Sequence, residues 1–156
     1  LRLLFGLMLL LGALGVVAQD EAQTSTTVQV AESEQFGSFL TDADGRALYL
    51  FINEEAEGNM DQMMEGVRTN AQPCTGGCLD NWPPLTGSAE AGEGVNADLL
   101  YTAEFEGQEM VVYNGWPLYY FAGDAEPGQT NGQGLGSAPT IWYLVSPEGN
   151  PVEGGE

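Results

Sequence analysis

The chain contains no histidine and no lysine, and its three positive charges, all arginines, stand against 23 acids for a formal net charge of −20. Without imidazole there is no Ser-His or Cys-His nucleophile pair, no His-ligated haem and no imidazole metal site. The chain is therefore read as non-enzymatic. Without a basic patch, no nucleic-acid partner is expected and anionic membrane surfaces are poor partners, because binding either depends on clustered Lys and Arg. Cysteine is almost as scarce, with Cys74 and Cys78 as the whole complement. Long apolar runs are missing except at the beginning, and helical periodicity is confined to one short stretch.

At the beginning, Arg2 precedes an apolar run from Leu3 to Val17, and Val16-Val17-Ala18 supplies compact residues at cleavage positions. This is the pattern of a signal peptide over 1–18. The run is shorter than the roughly 20 residues a spanning helix needs. The expectation is export to a secreted, periplasmic or cell-envelope location, with no stable membrane insertion after signal removal. Residues 19–35, rich in Gln, Thr and Glu with isolated valines, read as a flexible acidic leader. The folded domain is expected over 36–147 and a disordered tail over 148–156. The acids are spread along the chain, which favours a charge that keeps an exported protein soluble.

Within the domain one phrase occurs twice. Asp44-Gly45-Arg46-Ala47-Leu48-Tyr49-Leu50-Phe51 returns as Asn114-Gly115-Trp116-Pro117-Leu118-Tyr119-Tyr120-Phe121, and each copy carries an acid three residues past its Phe, Glu54 or Asp124. A duplicated turn-plus-strand unit implies two similar pieces sharing one core. Asp-Gly and Asn-Gly between strand-like runs are tight-hairpin signals, since both central residues of a type I′ turn need positive φ. Pro117 cannot donate to a ladder and belongs on an edge or at a non-bonded position. Leu48 and Leu50 face opposite to Tyr49 and Phe51, and both sets are apolar, so these strands should be covered on both sides. Further strands are predicted at Tyr101 to Phe105 and at Thr140 to Val145. The reading is an all-β fold: two degenerate hairpin-containing repeats, about 36–85 and 101–146, sharing one core as a sandwich or small closed sheet, with long Gly-rich loops and at most one short helix.

Few residues could carry chemistry. In an exported chain the pair Cys74 and Cys78 reads as a disulfide, whose tiny loop gives about 2 kcal/mol on chain-entropy grounds. Met60, Met63 and Met64 could ligate copper(I) through soft thioethers, although the same spacing serves an ordinary helix burying one face. Residues 53–61 place oxygen side chains at alternating positions with Gly58 sixth, a partial calcium-loop pattern without the closing Glu. No cofactor is expected, with copper and calcium as the alternatives. The acid after each aromatic pair lies just past a strand end, where it can accept from loop N–H groups or a Tyr hydroxyl, a structural corner by default.

Three ordered blocks now carry a resemblance: Phe39 to Phe51, Cys74 to Leu85, and Tyr113 to Asp124 with 127–134 and Trp142. Together they closely resemble the secreted repeat family named for its Y-X4-D motif, many of whose members are predicted lipoproteins. The motif maps onto Tyr119, Phe121 and Asp124, and in the first copy onto Tyr49 and Phe51 with Glu54 in place of the Asp. The family's frequent lipidation Cys is missing, and Trp116 stands where His is common in relatives. The resemblance implies fold and location and supplies no biochemical activity. The resulting expectation is a secreted or cell-envelope structural or binding module whose partner is an envelope or extracellular protein or polymer. The alternative is an extracytoplasmic redox or copper(I)-handling accessory.

Overall fold

Strands account for nearly all regular structure among residues 25–56, 65–71 and 73–154, which the computed structural model describes. In chain order they are β1 (Thr26–Ser33), β2 (Gly37–Thr41), β3 (Tyr49–Asn53), β4 (Ala89–Ala91), β5 (Leu100–Phe105), β6 (Gln108–Tyr113), β7 (Trp116–Pro117), β8 (Gly136–Ser137) and β9 (Thr140–Leu144). Two 3-10 turns, Gly76–Asp80 and Ala97–Leu99, are the only helical elements among the described residues. The strands form three small sheets, ordered β2-β1-β4, β3-β9-β8 and β5-β6-β7. The fold is all-β, as the sequence predicts, but among the described residues no barrel closes. The three sheets meet on one core that includes Leu40, Leu48, Leu50, Val111, Leu118 and Leu144.

The second predicted hairpin forms as read. β6 pairs with β7 through Asn114 and Gly115, whose φ values of 49° and 83° are the pair of positive angles a type I′ turn demands. Pro117 sits on edge strand β7, where its missing donor costs no ladder bond. The first hairpin differs. Only Gly45 has positive φ, at 83°; the Asp42 carboxylate accepts from the Asp44 and Arg46 N–H groups at 3.0 and 2.9 Å. These bonds favour a three-residue loop over the two-residue turn. The arms pair only briefly, at Thr41 and Ala47, before β3 departs to pair with β9 from Tyr49↔Leu144 to Asn53↔Thr140.

Two boundaries need correction. The expected flexible leader contains β1, which pairs antiparallel with β2 and parallel with β4, so the folded domain begins by Thr26 rather than at 36. Val28, fully buried, and the partly buried Val30 recur with the period of a strand, and backbone pairing along both edges compensates for the polarity of the intervening residues. The expected disordered tail is anchored through 152. Val145 bridges Pro151, the Val152 N–H donates to Leu144 O, and Trp116 Nε1 donates to Gly149 O. The signal segment 1–18 and Met60, Met63 and Met64 lie outside the described residues, as does most of the acidic stretch after Glu55.

The two copies are joined by a crossed exchange of strands. Tyr49 and Tyr119 lie directly opposite one another and trade both backbone hydrogen bonds, at 2.8 and 2.9 Å, about a local two-fold axis. On one side, β3 of the first copy pairs with β9 of the second, Phe51 opposite Trp142. On the other, the segment 118–122 pairs with 81–85 of the first copy. There Tyr120 N–H donates to Pro83 O and Ala122 N–H to Asn81 O, which sets Phe121 opposite Trp82. Each copy's Trp-bearing segment completes the other copy's Tyr-x-Phe strand.

Candidate functional site: the paired motif at the repeat interface

The exchange brings six aromatic rings together. Trp82 and Trp142 stack face to face, with centroids 3.8 Å apart and planes 2° from parallel. Phe51 stacks on the outer face of Trp142 at 4.4 Å, and Phe121 lies against Trp82 at 4.5 Å. The result is a column Phe51, Trp142, Trp82, Phe121 that obeys the local two-fold. The motif tyrosines flank it edge-on: Tyr49 at 5.4 Å from Trp82 and Tyr119 at 5.2 Å from Trp142. Both tryptophans and both tyrosines are buried, while Phe51 and Phe121 are only half-buried, so the column runs through the core and reaches the surface at each end.

The polar groups break this symmetry. Tyr49 of the first copy donates its hydroxyl to Asp124 Oδ2 of the second at 2.6 Å, a length typical of a hydroxyl bonded to a carboxylate. Asp124 is 6% exposed, and its other oxygen accepts from the Asn131 N–H at 2.8 Å. The Gly132 N–H donates to the Tyr49 hydroxyl oxygen at 3.2 Å. The equivalent acid, Glu54, is exposed; among the described residues only its backbone is engaged, donating to Pro139 O. The Tyr119 hydroxyl instead accepts from the Cys74 N–H at 3.1 Å, beside the disulfide that joins Cys74 to Cys78.

These environments act on the phenols. Burial, and then the Asp124 hydrogen bond and charge, holds the Tyr49 proton far above the ordinary tyrosine range, with the Gly132 N–H pulling slightly the other way. Burial pushes Tyr119 up to about 12, moderated by the Cys74 N–H. A second pair crosses between copies where sequence reasoning found none: Tyr120 donates to Asp42 Oδ2 at 2.9 Å, under the Arg46 guanidinium 4.3 Å from its ring. Burial first, and then Asp42, raises the Tyr120 proton affinity.

Of the motif residues read from the sequence, the structure gathers Tyr49, Phe51, Tyr119, Phe121 and Asp124 at one interface and leaves Glu54 outside it. The reading missed Asp42, Tyr120 and the Trp82–Trp142 stack. Asp42-Ala43-Asp44-Gly45 is a capped-turn signature that could have pointed to Asp42; nothing local announces a stack between residues sixty apart. It also missed the Gly-rich loop as a structural part. A Cβ at Gly132 would come within 2.8 Å of the Trp82 and Tyr49 rings, so glycine there is a packing requirement. Gln133 further ties the loop down, accepting from Leu144 N–H and donating to Val152 O, both at 2.6 Å.

Away from the interface lies a shallow recess of about 460 Å³, lined by Gly66, Arg68, Asp98, Leu99, Tyr101 and Asn114. Tyr101 donates to Gly66 O at 2.7 Å, and Arg68 Nε donates to Asn114 O at 2.7 Å with its guanidinium 5.1 Å from the Trp116 ring. Among the described residues, no group of three or more His, Cys, Asp or Glu could hold a metal ion. No helix among them is long and apolar enough to cross a membrane.

Residues 104–146 match the family model of a secreted repeat of unknown function. The match runs from the end of β5 to just past β9, across most of the second copy, and the resemblance read from the sequence holds there. No curated protein and no solved structure matches the chain.

Proposed function

We propose that the chain is a non-catalytic module, secreted or held in the cell envelope, that binds an extracytoplasmic protein or polymer through its surface while its motif residues hold the fold. The observation that carries this reading is that the buried carboxylates at the repeat interface are already engaged by partners within the fold. Asp124 serves Tyr49 and the Asn131 N–H; Asp42 serves Tyr120 and two turn N–H groups. A carboxylate acting as general acid or base must come within hydrogen-bond reach of the substrate proton it moves. The recess walled by Tyr101, Arg68, Asp98 and Asn114 combines an aromatic ring with planar polar groups, a lining suited to a neutral polymer. The net charge of −20 disfavours an acidic one.

The test uses the chain from residue 19 onward, with its metal content measured first. Amide chemical shifts are followed while neutral envelope polysaccharide fragments are added. Shifts clustering at Leu99, Tyr101 and Asn114, and lost in Tyr101→Ala, are expected. Release of shorter fragments from the polymer, or stoichiometric copper in the purified protein, would replace this reading.

A further inference from the structure

The aromatic column has features that packing alone does not ask for. Two indoles, the most easily oxidised side chains after the phenols and thiols, lie in near-perfect face-to-face contact. The column ends in half-buried rings, so an outside reactant approaches within a ring's width of an indole. Among the described residues, one of the two flanking phenols, and only one, is hydrogen-bonded to a carboxylate. That carboxylate is buried and, among the described residues, is held by N–H and O–H donors with no cation beside it.

Loss of an electron turns a phenol into a very strong acid, so a phenol buried without a proton acceptor resists oxidation while one bonded to a base yields its electron and proton together. Tyr49 has such a base at 2.6 Å. Tyr119 sits at the equivalent place beside Trp142, but its oxygen receives a backbone N–H and, among the described residues, is bonded to no carboxylate. The local two-fold thus supplies an internal control.

We infer that the column is a one-electron relay: an oxidising equivalent taken up at Trp82 or Trp142 passes to Tyr49 and stops there. An outer-sphere one-electron oxidant removes an electron from the indole pair. Tyr49 then returns an electron to Trp82 as its hydroxyl proton moves to Asp124 Oδ2. The products are the reduced oxidant, restored tryptophan, a neutral tyrosyl radical and a protonated Asp124, with no proton leaving the protein. This activity does not depend on what the surface binds.

The experiment generates a photochemical ruthenium(III) trisbipyridine oxidant beside the full chain and identifies the radical by transient absorption and electron paramagnetic resonance. The unmodified protein is expected to give a tyrosyl radical. Tyr49→Phe, which keeps the ring and its packing, should leave a tryptophan radical instead, while Tyr119→Phe should still give the tyrosyl signal. Asp124→Asn should slow tyrosyl formation by about 10²-fold, the low end for loss of a positioned proton acceptor, and change the solvent deuterium isotope effect. A tyrosyl radical undiminished in Tyr49→Phe, or lost in Tyr119→Phe, overturns the relay. Should Asp124→Asn fail to fold, the two phenylalanine variants decide the matter alone.

Discussion

The two copies share backbone, aromatic placement and the two-fold between them, yet they treat their acids oppositely. Asp124 reaches back across the interface to Tyr49 and is buried there; Glu54 stands in solvent, and Tyr119 is satisfied by the Cys74 N–H. The longer side chain at 54 is followed by an acidic insert in place of the Gly-rich loop that in the second copy closes over Asp124 through Asn131 and Gly132. The comparison teaches that the aromatic part of the motif builds the shared core, and that the acid contributes only where a loop folds over it.

The largest effects should come from the part the copies share. Trp82→Ala and Trp142→Ala each remove one half of the stack, and each should cost about 3–5 kcal/mol by urea denaturation. Costs of similar size would support the two-fold as an energetic symmetry, and a large disparity would break it. The tyrosines should then separate the copies. Tyr49→Phe leaves a buried carboxylate short of its donor and should cost about 1.5–3 kcal/mol, whereas Tyr119→Phe removes a neutral contact and should cost about 1 kcal/mol.

Alkaline titration sharpens the same contrast. Tyr49, Tyr119 and Tyr120 all have proton affinities raised in the fold above the ordinary value of 10.0. The folded chain therefore binds more protons than the unfolded one at high pH, and stability must fall as pH rises. The contribution is full below about pH 10, the ordinary tyrosine value. For Tyr119 it is lost between 10.0 and about 12. Chemical denaturation across that range should give a descending limb, and Tyr49→Phe should make it shallower by close to one proton. The smallest effect belongs to the odd acid. Glu54→Gln should change stability by no more than about 0.5 kcal/mol, as for an ordinary surface site; a loss matching that of the tyrosines would mean the first copy has a closed corner after all.

What could be read from the sequence was set by local chemistry. Asn114-Gly115 dictates its own turn, and Ile141-Trp142-Tyr143-Leu144 its own strand, so both stand where expected. β1 was hidden because its apolar content is thin and its stability comes from pairing with β2 and β4, distant in the chain. The first hairpin was over-read because Asp44-Gly45 looks like a two-residue turn until Asp42 is seen capping it. The repeat announced that two units share a core; it did not announce that they trade strands, because a repeat specifies like with like and is silent on which copy completes which.

That trade has a consequence for assembly. Two halves related by a two-fold, each supplying the segment the other lacks, have the geometry of an isologous homodimer contained in one polypeptide. The connection between them carries β4, paired with β1, and turns at exposed Glu93 and Gly94, so it tethers the second half to the first. A single proteolytic nick there would turn an intramolecular fit into a bimolecular one. At high concentration two intact chains hold the complementary halves in duplicate, and swapping them would join the molecules through the same tyrosines that otherwise close each molecule on itself.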